Sequence, residues 1–165
     1  MPKPEQLKRI NDINELIKLI ASIDRRTFYC ESKDSVACFI FGKRGKLFFV
    51  DDYTGEWVYP YELGHGPANG FSHGGNMWEL VNRFREFIIT GRYGALRDYK
   101  EIWAYSEEGC KKIREKAKEI GFIMTDDYPY SFKEWQTYSL RESFREGQKA
   151  TEKNAVNHKR QQEGY

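Results

Sequence analysis

The chain has 165 residues, of which 39% are hydrophobic and 16% aromatic, and its 27 Lys and Arg nearly balance its 25 Asp and Glu. This length suffices for one domain with its own core, and the content of large side chains excludes a disordered protein. A net charge of +2 gives no general attraction to nucleic acid or anionic membranes, and it excludes mimicry of DNA by massed carboxylates. No segment approaches the roughly 20 apolar residues that cross a bilayer, so we expect an intracellular protein without a membrane partner.

The cysteines give no sign of a disulfide framework or a zinc site. Cys30, Cys38 and Cys110 are odd in number, form no CxxC pair and have no neighbouring His. We expect three reduced thiols and assign neither a metal nor another cofactor.

The first predicted element is an amphipathic helix. Its apolar residues recur with a helical period and leave Lys and Glu on the opposite side. These residues are Leu7, Ile10, Ile13, Leu16, Ile17, Ile20 and Ile23.

Short runs rich in Phe, Val and Ile then predict an antiparallel meander of three or four strands. The runs are residues 27–30, 36–41, 47–50 and 57–61. Residues 42–45 form a hairpin-like connection and residues 51–55 another turn.

Two further helices follow. The second is predicted to begin at Asn76 and to end near Gly91, and the third is predicted to begin after the N-cap Ser106 and to stop at Gly121. Short strands are predicted at residues 102–105 and 122–125.

Ser131 and Glu134 form a capping box for a last helix. After residue 146 the chain is polar with a lone Val156, and such a composition cannot offset the entropy of ordering. We predict a single α+β domain over residues 1–146, with helices packed on one sheet face, and a mobile tail over residues 147–165.

A glycine-rich loop precedes the second predicted helix. Residues 64–75 read GHGPANGFSHGG, and glycines with positive φ can direct backbone amides to one point beside the positive end of a helix. This pattern favours binding of an anion or a carbonyl oxygen, although such glycines also occur in loops that simply turn. The predicted binding residues are His65, Asn69, Ser72, His73, Gly74, Gly75 and Asn76.

Two histidines in this loop raise the question of catalysis. His65 and His73 could act as general acid and base, or could join Asp51 and Asp52 as metal ligands. Their separation fits no established metal spacing, and Ser72 lies in no strand–turn–helix nucleophile motif. We therefore assign no catalytic residue and no metal ligand.

Residues 128–145 interleave aromatic side chains with Arg and Lys. Such a segment could stack on single-stranded bases, anchor a protein interface, or pack as an ordinary helix. Residues 141–165 hold six Lys and Arg against four Glu, a balance that favours a protein partner over nucleic acid. The predicted partner interface comprises Trp135, Tyr138, Arg141 and Arg145.

Four segments carry a resemblance to a known group. They are KLFFVDDYTGE at residues 46–56, GFSHGG at residues 70–75, the predicted helix that follows it to Gly91, and the W-x-Y-S-E-E-G helix start at Trp103. Across residues 46–124 the chain resembles small bacteriophage and prophage proteins of unassigned function. The resemblance implies an accessory protein in the bacterial cytoplasm, where such proteins often bind and block host machinery, including defence nucleases.

The favoured hypothesis is stoichiometric binding of a host protein or complex, as an anti-CRISPR-like inhibitor of a defence nuclease and not as an enzyme. One alternative is a small enzyme or ligand-binding domain that holds a phosphate-bearing molecule in the loop of residues 64–76. Another is a nucleic-acid-binding module that uses the aromatic C-terminal helix. The sequence leaves the oligomeric state open.

Overall fold

The structure is a computed structural model that describes residues 1–23, 27–60, 70–73, 75–92 and 106–123. All of these belong to one compact unit, Met1–Asp127. They contain three α-helices and two small antiparallel sheets, which confirms the predicted α+β class. Among them, no helix is long and apolar enough to span a membrane.

Several predicted features lie outside the described residues. They are the strand at residues 102–105, the helix after Ser131, the domain boundary at residue 146 and the tail of residues 147–165.

The strands are β1 (Tyr29–Cys30), β2 (Ser35–Val36), β3 (Cys38–Phe41), β4 (Leu47–Val50) and β5 (Trp57–Val58). The predicted meander is present as a three-stranded sheet in the order β3-β4-β5. Strands β1 and β2 form a separate pair, so the first predicted strand does not join the meander. The predicted strand 36–41 is interrupted at Ala37, whose amide donates to the carbonyl of Phe28 at 2.9 Å.

Helix α1 (Pro4–Ser22) buries the predicted apolar stripe from Ile10 to Ile20, whereas Leu7 in its first turn is 45% exposed. Ile23, the last residue of the predicted stripe, is the C-cap and is half-buried. The helix packs against β3, an edge strand of the sheet. Asn14 donates to the carbonyl of Phe39 at 2.9 Å and accepts from its amide at 2.7 Å. One side chain thus supplies the donor and the acceptor that a neighbouring strand would provide.

Helix α2 (Gly75–Thr90) begins one residue before the predicted start. Helix α3 (Glu107–Glu119) begins as predicted after Ser106, whose side chain accepts from the amide of Gly109 at 3.1 Å. Gly91 follows α2 with a φ of +74°, a conformation that glycine adopts without strain.

The predicted strand at residues 122–125 is wrong for its first two residues. The amides of Phe122 and Ile123 donate to the carbonyl of Ala117 at 2.9 and 3.2 Å. These bonds close the C-terminus of α3 after Gly121, which has a φ of +73°. Both side chains are buried, so an apolar helix cap produced the strand-like pattern.

The core contains a cluster of phenylalanine rings, most of which meet edge to face. Phe39 packs on Phe49 with ring centroids 5.4 Å apart, and Phe84 packs on Phe122 at 5.0 Å. Phe28 contacts both Phe49 and Phe84 and so connects the sheet to α2. Edge-to-face contacts are the preferred arrangement of aromatic pairs.

Candidate functional site

Asp51 follows β4 and holds two distant segments together. Its Oδ1 accepts from the amides of Tyr53 and Thr54, each at 2.9 Å. Its Oδ2 accepts from the amide of Ser72 at 2.8 Å and from the Ser72 hydroxyl at 3.0 Å. This buried carboxylate therefore closes the turn after β4 and fixes a residue 21 positions later in the chain.

Burial raises the pKa of Asp51, but hydrogen bonds from Ser72, Thr54 and Tyr53 outweigh it and bring the pKa below its ordinary value of 3.8. Donors that point at a carboxylate favour its charged form. Asp51 is therefore ionised at neutral pH.

Thr54 and Gly70 add a second connection between the turn and the loop. The Thr54 hydroxyl donates to the carbonyl of Gly70 at 2.6 Å; its contact with Asp51 is longer, at 3.2 Å, and one hydroxyl proton cannot serve both acceptors fully. Gly70 has a φ of +84°, and a Cβ there would lie 2.6 Å from the Cβ of Glu56. Only glycine fits this close approach.

His73 and Asp52 form a close pair beside this anchor. The Nε2 atom of His73 lies 2.6 Å from Oδ1 of Asp52. The Asp52 side chain is 0% exposed and the His73 side chain 14%. Within the described residues, Oδ2 of Asp52 is buried without a hydrogen-bond partner.

Three aromatic rings surround the imidazole of His73. They belong to Phe71, Tyr53 and Phe28, with centroids 5.5, 5.9 and 6.0 Å from the imidazole. The rings restrict the imidazole to an orientation in which Nε2 faces Asp52. The arrangement can hold a proton between the two side chains, or a cation in its place.

Two of the predicted binding residues, Ser72 and His73, converge on the aspartates. Both donors of Ser72 are occupied by Asp51, so they are engaged within the protein. Gly75 is the first residue of α2 and Asn76 the second. The remaining predicted binding residues, His65, Asn69 and Gly74, lie outside the described residues, as do the predicted interface residues Trp135, Tyr138, Arg141 and Arg145.

A second surface was missed by the sequence analysis. Phe48, Trp57 and Tyr59 lie together on the sheet side opposite the buried Phe49 and Val58, and we name them the outer aromatic patch. The ring of Phe48 lies 5.9 Å from that of Trp57 and 5.6 Å from that of Tyr59. Trp57 is 59% exposed.

Neighbouring residues fix and extend the outer aromatic patch. A Cβ on Gly42 would lie 2.6 Å from the ring of Phe48, so the ring packs directly against the β3–β4 connection. The Nζ atom of Lys46 lies 4.7 Å from the ring centroid of Tyr59, a cation–π distance. Strand alternation could have indicated this surface, since Phe48 and Trp57 occupy outward positions on paired strands.

Comparison with known proteins places the chain in a family. The family model described as YoqU matches residues 3–143. The chain belongs to the YoqU family. It is 76% identical over 135 residues, covering 82% of this chain and 97% of the relative, to the SPbeta prophage-derived uncharacterized protein YoqU of Bacillus subtilis (strain 168). No solved structure matches.

The prophage origin of this relative agrees with the predicted prophage setting, and the family match extends beyond the resemblance over residues 46–124. It includes the Asp51, Asp52 and His73 cluster and the outer aromatic patch, and it ends before the predicted tail.

Proposed function

We propose that this YoqU-family chain is a prophage accessory protein that acts by stoichiometric binding to a host protein, with the outer aromatic patch as the contact surface. The observation that supports this proposal is the 59% exposure of Trp57 beside two further aromatic rings. Tryptophan and tyrosine are enriched among the residues that carry most of the energy of protein interfaces.

The patch has the composition of an interface centre. The ring of Trp57 contacts the ring of Phe48, and the ring of Phe48 packs against Gly42. These contacts restrict the position of the exposed Trp57 ring. Binding such a ring costs little conformational entropy, because its position is already defined. Half-buried Ile40 and Val50 lie next to these rings in the strand register and enlarge the apolar area.

Positive charge borders the aromatic rings. Lys46 lies over Tyr59, and the guanidinium carbon of Arg85 lies 5.9 Å from the same ring centroid. An apolar centre with a charged border is the usual anatomy of a transient protein interface. A partner with an apolar pocket would match the aromatic centre of this surface.

We further propose a defence nuclease of the bacterium as the target class. The prophage origin of the 76% identical relative supports this choice, because an integrated phage benefits when host defence is blocked. The predicted contacts at Trp135, Tyr138, Arg141 and Arg145 remain a proposed second surface for the same partner.

The test is quantitative affinity capture from a Bacillus subtilis lysate with three immobilised proteins: the wild-type chain, Trp57→Ala and Leu7→Ala. Leu7 is an exposed apolar residue on α1, so its variant controls for non-specific apolar adhesion. We expect one host protein to be retained in near-equimolar amount by the wild type and Leu7→Ala, and to be lost from Trp57→Ala.

Two results would overturn the proposal. One is a captured set that does not change between the wild type and Trp57→Ala. The other is sedimentation showing that the wild-type chain forms a dimer that Trp57→Ala does not form, because the patch would then be a self-association surface.

A further inference from the structure

We propose that Asp52 and His73, with Asp51 beside them, form a binding site for one divalent transition-metal ion of the Zn²⁺ or Mn²⁺ class. One ligand atom from each of the three residues lies within 4.8 Å of the others. The site is distinct from the outer aromatic patch, and its occupancy does not depend on Trp57.

The hydrogen bonds of the two adjacent aspartates show which of them has an oxygen free to coordinate a metal ion. A carboxylate offers about four lone-pair positions, and Asp51 fills them with donors from Tyr53, Thr54 and Ser72. Asp52 is equally buried but has only His73 on Oδ1, and its Oδ2 has no partner in the described residues. Both carboxylate oxygens of Asp51 thus have hydrogen-bond donors, whereas only one carboxylate oxygen of Asp52 has a partner in the described residues.

An unpaired oxygen on a buried carboxylate is costly. Leaving a buried acceptor without a partner destabilises the folded chain, and the penalty is larger when the group is charged. Because Oδ2 is bonded to the same carbon as Oδ1, it lies beside the contact with His73. A cation at this point would neutralise the carboxylate and occupy the free oxygen.

His73 supplies a nitrogen ligand in a fixed orientation. Its Nε2 faces Asp52, and the rings of Phe71 and Tyr53 limit rotation of the imidazole. A Zn²⁺ ion at about 2.0–2.2 Å from each ligand separates two ligand atoms by about 3.3 Å. The present 2.6 Å between Nε2 and Oδ1 must therefore widen by less than about 1 Å. The His73 side chain is 14% exposed, whereas the Asp52 side chain is fully buried.

Asp51 can contribute a third ligand without unfolding its turn. The Ser72 hydroxyl donates to Oδ2 of Asp51 at 3.0 Å, and rotation of that hydroxyl would free one lone pair. The amide bonds from Tyr53, Thr54 and Ser72 would remain. Water would complete the coordination sphere.

The donor set selects the metal class. Imidazole nitrogen together with carboxylate oxygen suits Zn²⁺ and Mn²⁺, whereas Ca²⁺ and Mg²⁺ prefer oxygen ligands alone. We therefore expect discrimination against Ca²⁺ and Mg²⁺.

Isothermal titration of the full chain with ZnCl₂, MnCl₂, MgCl₂ or CaCl₂ tests the site. We expect one Zn²⁺ or Mn²⁺ per chain, and at least tenfold weaker binding in Asp52→Asn and in His73→Gln. His158→Gln is the matched control, because it also removes one of the three histidines, and it should bind as the wild type does. Saturable binding that is equal in Asp52→Asn, His73→Gln and the wild type would overturn the proposal.

A measurement on the wild-type chain avoids dependence on the stability of the variants. One equivalent of Zn²⁺ should shift the imidazole NMR signals of His73 and leave those of His158 in place. Unchanged His73 signals at millimolar Zn²⁺ would overturn the proposal and leave the His73–Asp52 contact as a structural hydrogen bond.

Discussion

Ser72 places both of its donors, the backbone amide and the side-chain hydroxyl, on a single oxygen of Asp51. This contact fixes the segment that carries His73 against the end of β4. The position of His73 beside Asp52 therefore depends on Asp51.

We expect Asp51→Asn to lower the free energy of unfolding by about 2 kcal/mol or more. The new amide nitrogen would face N–H or O–H groups that now donate hydrogen bonds to the Asp51 carboxylate. Ser72→Ala removes only the hydroxyl contact and should cost about 1 kcal/mol. Urea unfolding at neutral pH measures both values. If Asp51→Asn falls within about 0.5 kcal/mol of the wild type, the anchoring role is wrong.

The lowered pKa of Asp51 predicts an acid-sensitive contribution to stability. The folded state holds the ionised form, so it binds fewer protons than the unfolded state around the ordinary value of 3.8. The contribution is therefore complete above that value and is lost as the pH falls through the lower folded pKa. Urea unfolding between neutral pH and pH ~3 should show a smaller loss of stability in Asp51→Asn than in the wild type. Parallel losses in the two proteins would contradict this assignment.

Asn14→Ala should destabilise the fold by about 1–3 kcal/mol, because it leaves the amide and the carbonyl of Phe39 without their partner at a part-buried site. Asn14→Gln keeps the amide but moves it by one methylene, so a similar loss is expected. Thermal unfolding compares both with Lys18→Ala, an exposed position on the same helix. Stability equal to that of Lys18→Ala would show that the pairing contributes little.

Gly42→Ala should displace the ring of Phe48, because the new Cβ would lie 2.6 Å from it. The variant should lose stability by about 1–3 kcal/mol and weaken partner binding through Trp57. Combining it with Phe48→Leu should reduce its cost, since the smaller side chain leaves room for the methyl group. If the losses of stability in this double-mutant cycle are additive, Gly42 does not act on the outer aromatic patch through the ring of Phe48.

Much of the fold follows from residue patterns. The period of α1, the Ser106 cap of α3 and the hairpin between β3 and β4 are all present where the sequence predicts them. The strand predicted at Phe122 was wrong because two consecutive apolar residues suit a helix cap as well as a strand. The separation of β1 from the meander depends on the break at Ala37, which no local pattern marks.

Only part of the candidate site is predictable from the sequence. The glycine-rich loop indicates His73 and Ser72, but rules for the spacing of metal ligands apply to ligands within one element and do not pair His73 with Asp52. Asp52 and His73 come from segments 21 residues apart, and only the folded chain brings them together. The outer aromatic patch is not among the predicted sites, because the apolar runs predict that Phe48 and Trp57 lie in strands but do not by themselves give the face that each side chain occupies.

The central claim is stoichiometric binding of a host protein through Trp57. The most direct test is calorimetric titration of the purified chain into the purified host protein that the wild type captures and Trp57→Ala does not. Saturation is expected near one chain per partner site, with affinity reduced about 30-fold or more in Trp57→Ala, the equivalent of about 2 kcal/mol, and unchanged in Leu7→Ala. Equal affinity of Trp57→Ala and the wild type, or modification of the partner by substoichiometric amounts of the chain, would contradict the account.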